Sequence, residues 1–211
     1  MISDPLIRNR ATLGGSLAAA DPHGDWPPLV LATDTTMQLR SRDGQQTVPA
    51  GDLFTSDHAG PGPGPTTLRP GELLTAVTVP VFDARTRATY LTRMHPASGH
   101  AMLGVAVAVT FNADQTCRAC PTAITGGVAT RAVRAKARLV GSPLTPEAIQ
   151  GAAHAANHGI AFPGDTFGSA AYLAELLPIS LNRALSQLAT PPTRSRQERR
   201  RPQERGACDA D

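Results

Sequence analysis

The chain has 211 residues, 41% of them hydrophobic, 4% aromatic and 18% charged, with a formal net charge of +3. That length accommodates one good core or two small ones, and the scarcity of aromatics means a core of small aliphatic side chains packed closely. Six arginines against four acids fall within residues 194–211, which leaves the rest of the chain near neutrality. A body so weakly charged lacks the basic face that phosphate-backbone binding requires, and nucleic acid is excluded as an expected partner.

The opening MISDPLIRNRATLGG has no apolar run of the about 7–15 residues a signal peptide needs, and no later stretch approaches the about 18 of a membrane span. The expectation is a cytoplasmic chain with no membrane span. Cys117, Cys120 and Cys208 are too few for a disulfide framework.

In chain order, residues 7–25 are Gly/Ala-rich. The segment DWPPLVLAT reads as a short helix with Asp25 as N-cap and prolines in the first turn. MQLRSRDGQQTVPAGDLF alternates apolar and polar positions on both sides of Asp43-Gly44, which predicts a β-hairpin with a two-residue turn. HAGPGPGPTTLRPGE excludes helix and ladder and predicts an irregular loop.

LLTAVTVPV resumes as a strand ending near Pro80, RATYLTRM is another, and HAMLGVAVAVTF is a long strand apolar enough to be buried on both faces, with CPTAITGGV beside it. From Ala132 the period turns helical: AVRAKARLVG, then TPEAIQGAAHAANH with Pro146 at a helix start, then GSAAYLAELLPISLNRALSQLA, which Pro178 should kink. PPTRSRQERRRPQERGACDAD has too little apolar content to offset the entropy of ordering. The order of elements is α+β, with modules at 1–78 and 79–190 and an Arg-rich tail at 191–211.

Chemistry concentrates at Thr12, Leu13, Gly14, Gly15 and Ser16. Paired glycines let backbone amides approach an anion such as a pyrophosphate, although a Gly-Gly pair by itself more often marks a turn. Cys117-Arg118-Ala119-Cys120 is a CxxC, but on an extended strand the odd spacing would send the two thiols to opposite faces, and no second Cys/His pair has ligand spacing, so no metal site is expected. His154 and His158 share a helix face and read as a surface pair. Asp21, His23 and Asp25 read as loop polarity.

The flanks of the glycine pair carry more information. Ile7-Arg8-Asn9-Arg10-Ala11-Thr12-Leu13-Gly14-Gly15-Ser16, followed by Ala20-Asp21-Pro22 and Asp25, closely resembles the flavin pyrophosphate segment of the FAD-binding subunits of molybdenum hydroxylases, the carbon monoxide and xanthine dehydrogenase group. Pro70-Gly71-Glu72-Leu73-Leu74, Leu103-Gly104-Val105-Ala106, Gly126-Gly127-Val128 and Gly168-Ser169-Ala170-Ala171-Tyr172 with Asn182-Arg183-Ala184 continue the resemblance over about residues 2–190.

The resemblance implies the C-terminal part of a vanillyl-alcohol-oxidase-type FAD-binding domain followed by a strand-and-helix domain of the carbon monoxide dehydrogenase flavoprotein C-terminal type. It implies an oxidoreductase subunit that relays electrons from iron–sulfur clusters through FAD to NAD, oxygen or a quinone. The expected partners are a molybdenum-cofactor large subunit and a 2Fe-2S small subunit.

By this resemblance Thr12, Leu13, Gly14, Gly15 and Ser16 bind FAD phosphate, Asp25 hydrogen-bonds the cofactor and Leu74 packs near it; none is an acid–base catalyst. On residue type alone Asp25 is equally an N-cap and Leu74 is more readily a core residue. Departures are Ser16, where the family has Asn or Asp, and Thr92, where a basic residue follows the strand aromatic, here Tyr90; Arg93 would replace it in a register shifted by one. The family's other phosphate loop is missing ahead of Met1, so flavin binding is expected to depend on an N-terminal half. The alternative is a non-catalytic remnant serving as a subunit-interaction module.

Overall fold

A computed structural model describes residues 5–54, 66–97 and 99–190. The elements in chain order are α1 (Pro5–Arg8), α2 (Leu13–Ala19), α3 (Trp26–Ala32), β1 (Thr36–Ser41), β2 (Gly44–Pro49) and α4 (Ala50–Leu53). They continue with β3 (Leu73–Thr78), β4 (Thr86–Met94), β5 (Ala101–Phe111), β6 (Cys117–Ala119), β7 (Thr122–Ile124), β8 (Thr130–Arg131), α5 (Val133–Leu139), α6 (Pro146–Ala155) and α7 (Ala170–Ala189). The α+β expectation stands. Most of the predicted loop, from His58 to Pro65, and the tail from 191 lie outside the described residues.

The first sheet has the order β2-β1-β3, all antiparallel. Ser41 pairs with Gly44, so Arg42 and Asp43 form the two-residue turn, and Gly44 takes φ +140° as the first strand residue. Alternation puts Met37 and Leu39 into the core while β2 stays largely exposed, the mark of a sheet covered on one face. The alternation expected to run on through AGDLF ends at Pro49. Ala50–Leu53 is a helical turn instead, which brings Ala50 and Leu53, three apart, onto one buried face where a strand would have sent them to opposite faces.

The second sheet runs β4-β5-β7-β8, with β6 also on β5. The alternation of β5 serves two cores. Leu103, Val105, Val107 and Val109 meet α5, α6 and α7 in one cluster, whereas Ala106, with Ala123 from β7, joins Val30, Leu31 and Ala32 of α3 in the other. Two-sided burial of β5 is therefore what welds the modules together.

Helices α6 and α7 have side-chain caps. Thr145 accepts from the Ala148 amide at α6, and Ser169 accepts from the Tyr172 amide at α7, each satisfying an otherwise orphaned donor. Helix α7 continues through Pro178 for 20 residues. Proline has no N–H for the carbonyl four residues back, which is Ala174. Asn157 Nδ2 donates to that carbonyl at 2.7 Å instead. A residue from the preceding turn thus replaces the lost helical bond.

A candidate flavin-binding site

The segment that the sequence singles out folds as the first turn of α2. Thr12 has extended backbone and caps the helix, its Oγ1 accepting the Gly15 amide at 3.0 Å. The Leu13 and Gly14 amides, which no intrahelical carbonyl can reach, have no acceptor among the described residues. Thr12, Leu13 and Gly15 are exposed and Gly14 and Ser16 half-buried, so the turn faces outward. Leu17, one residue on, is fully buried and anchors it. Arg8 and Arg10 are exposed just upstream without an ion pair among the described residues.

The fold brings Leu74 to this turn. A Cβ built on Gly14 would stand 3.7 Å from the Leu74 carbonyl oxygen, while the half-buried Leu74 side chain packs against the first core. Leu74 is therefore a core residue whose backbone borders the glycine turn.

Asp25 is placed differently from the N-cap expectation. It occupies the cap position of α3, but with helical φ −79° and ψ −25° its side chain makes no capping bond. Its Oδ1 accepts from the Tyr90 hydroxyl at 2.5 Å, across to the other sheet. Burial first, then the hydrogen bond to Asp25 and its negative charge, push the Tyr90 phenol well above its ordinary range.

Gly104 makes room for this contact. A Cβ there would run into the Tyr90 hydroxyl and lie 2.9 Å from Thr125 Oγ1. The Gly104 amide donates to that same threonine at 2.9 Å. Thr92, cross-strand from Gly104, has a buried hydroxyl with no geometric hydrogen bond among the described residues.

Of Asp21, His23 and Asp25, read as loop polarity, Asp21 accepts the His23 amide within the loop at 2.9 Å, whereas His23, like Asp25, reaches beyond it. His23 Nδ1 donates to the Ala101 carbonyl at 2.8 Å, and its Nε2 lies 3.1 Å from Asp165 Oδ2. Phe167 stacks on His100 and meets the edge of His23. Arg131 pairs with Asp34 at 2.7 Å. Sequence reasoning named neither Tyr90 as the partner of Asp25 nor Thr125, Asp165 and Phe167. The available signal was a glycine inside the otherwise bulky β5 run, which marks a close approach.

The CxxC does not split its thiols across a sheet. β6 ends at Ala119, the chain turns, and both Cys117 and Cys120 are buried in the second core. Cys120 beside it holds the Cys117 thiol below the ordinary range, while Cys117 and then burial push the Cys120 thiol above it, and Cys120 Sγ lies 3.6 Å from Thr122 Oγ1. Among the described residues no group of three His, Cys, Asp or Glu side chains could hold a metal.

Residues 1–82 match the FAD binding domain in molybdopterin dehydrogenase and residues 88–188 the CO dehydrogenase flavoprotein C-terminal domain. The chain belongs to this flavoprotein family of molybdenum-containing dehydrogenases.

Among its relatives, the 6-hydroxypseudooxynicotine dehydrogenase complex subunit alpha of Paenarthrobacter nicotinovorans is 32% identical over 190 residues, 88% of this chain and 62% of the relative. The carbon monoxide dehydrogenase medium chain of Hydrogenophaga pseudoflava is 32% identical over 189 residues, 88% and 63% of the two chains. The solved structure of carbon monoxide dehydrogenase from the same organism superposes with a TM-score of 0.78 at 33% identity, covering 88% of this chain and 63% of that one. Quinoline 2-oxidoreductase from Pseudomonas putida 86 gives 0.75 at 27% identity, covering 89% and 64%. The chain thus spans somewhat under two thirds of the length of these relatives.

Proposed function

We propose that the chain works as the FAD-carrying subunit of a molybdenum-containing dehydrogenase or hydroxylase, passing electrons from a 2Fe-2S small subunit to NAD, oxygen or a quinone while a molybdenum-cofactor large subunit oxidises the substrate. Support comes from the pair of unsatisfied first-turn amides at Leu13 and Gly14, set in a segment that matches the FAD family. FAD, when bound, supplies the redox chemistry. Thr12, Leu13, Gly14, Gly15 and Ser16 hold its phosphates, with Arg8 and Arg10 adding positive charge.

Asp25 offers its free carboxylate lone pairs to the cofactor while Tyr90 fixes its direction, and Leu74 closes the site from β3. None of these groups transfers a proton. The division into an FAD-side module at 1–78 and a C-terminal domain at 79–190 is supported by the two sheets falling on either side of it. No described helix is long and apolar enough to cross a membrane, and the two buried free thiols suit a reducing, cytoplasmic setting.

Flavin titration of the full chain tests the reading. FAD should bind more tightly than riboflavin, with pyrophosphate competing for the difference. Weak binding by the chain alone is the expected result; equal affinity for both once the family's N-terminal half is supplied on a separate chain overturns a phosphate site at Thr12–Ser16.

A further inference from the structure

The far side of the C-terminal domain carries a second polar feature. A cleft of about 1010 Å³ runs between α5 and α6, with Arg134 and Arg138 on one wall and Glu147, Gly151, His154 and His158 on the other. Arg134 and Arg138 stand one helical turn apart on α5, whereas α6 ends at Ala155, so His154 is helical and His158, expected on the same helix face, lies in the turn beyond it. None of these four has an ion-pair or side-chain hydrogen-bond partner among the described residues.

The acid in the cleft offsets at most one of the two arginine charges, since Glu147 is the single carboxylate on its walls among the described residues. The Glu147 carboxylate is turned onto its own helix start, where its backbone amide and the Thr145 hydroxyl hold it below the ordinary carboxylate range. At the middle of the cleft Gly151 leaves open space, since a Cβ there would meet nothing within 4 Å.

We propose that this cleft docks an acidic helical segment of a partner polypeptide, with carboxylates one turn apart facing Arg134 and Arg138. Charge complementarity selects that occupant. The chain's own segment 194–205, with six arginines, has the wrong sign for it. A single nucleic-acid strand would want large aromatic platforms, and no Phe, Tyr or Trp among the described residues lines the walls.

The shape fits as well. With a rise of about 1.5 Å per residue, α5 and α6 are about 10 and 15 Å long, room for roughly two to three turns of a third helix. Helices pack at about 8–10 Å between axes, closest where small side chains meet, which is what Gly151 allows.

Fluorescence anisotropy on the full chain decides the matter, using as probe a labelled helical peptide with Glu at every fourth position in an alanine background. Arg134→Gln/Arg138→Gln should weaken binding about five- to ten-fold at low salt, the effect of removing two charge pairs. Lys136→Glu makes the same net change on α5 outside the cleft and should alter binding less than about two-fold. The arginine-rich segment is present in every variant, so it cannot produce this difference, and circular dichroism verifies that each variant is folded. Absence of peptide binding, equal losses in the two variants, or tighter cleft-dependent binding of a single-stranded oligonucleotide would each overturn the proposal.

Discussion

The two sheets of this molecule are built to different rules. In the first, β1 presents Met37 and Leu39 to a core on one side, while β2 remains open to solvent. In the second, β5 is buried on both sides, with Val and Leu toward α7 and Ala and Gly toward α3. The difference shows that side-chain size on a two-faced strand encodes which neighbour lies on each face. Large side chains fill the domain's own core, and small ones let a second module come close.

The contrast can be broken first on the large side. Leu181→Ala removes a fully buried side chain of α7 and should cost about 2–5 kcal/mol, with a lower urea midpoint. The small side should fail in the opposite way, by overfilling. Gly104→Ala would drive a methyl against Tyr90 and Thr125, at a cost of about 1–3 kcal/mol, and should release Tyr90 from Asp25, which Tyr90 absorbance titration would detect as easier ionisation.

Removing only the bond between modules is milder. Tyr90→Phe leaves Asp25 without its donor and should lower stability by about 1–2 kcal/mol. Because the phenol ionises at higher pH folded than its ordinary value of 10.0, the native state retains this proton longer than the unfolded chain does. Its contribution is complete below pH 10 and declines as pH rises beyond, and that alkaline loss should shrink in Tyr90→Phe. Smallest of all, Asp34→Asn breaks the part-exposed pair with Arg131; the change should stay within about 1 kcal/mol and fade with added salt.

Much of this is legible in the sequence. The hairpin around Asp43-Gly44, the two-faced strand 101–111, the helix starting at Pro146 and the turn at Gly14-Gly15 follow from alternation, apolar content and capping chemistry, which act over a few residues. The helical turn at Ala50–Leu53 is not legible because four residues are too few for a helical period to show. The CxxC was misjudged because its spacing says nothing about where a three-residue strand ends.

Asp25 marks the boundary between local and tertiary information most clearly. Its sequence neighbours Trp26-Pro27-Pro28 fix a helix start there, and the chain alone determines that much. Whether the carboxylate caps that helix or reaches another element depends on what lies above it. Tyr90 stands 65 residues away in sequence and arrives only because Gly104 is too small to exclude it. Local chemistry determined the elements, the glycine turn and the family pattern. Tertiary packing alone decided the partners of Asp25, His23 and Ala174, since each is a long-range contact whose existence depends on which side chains are small enough to allow it.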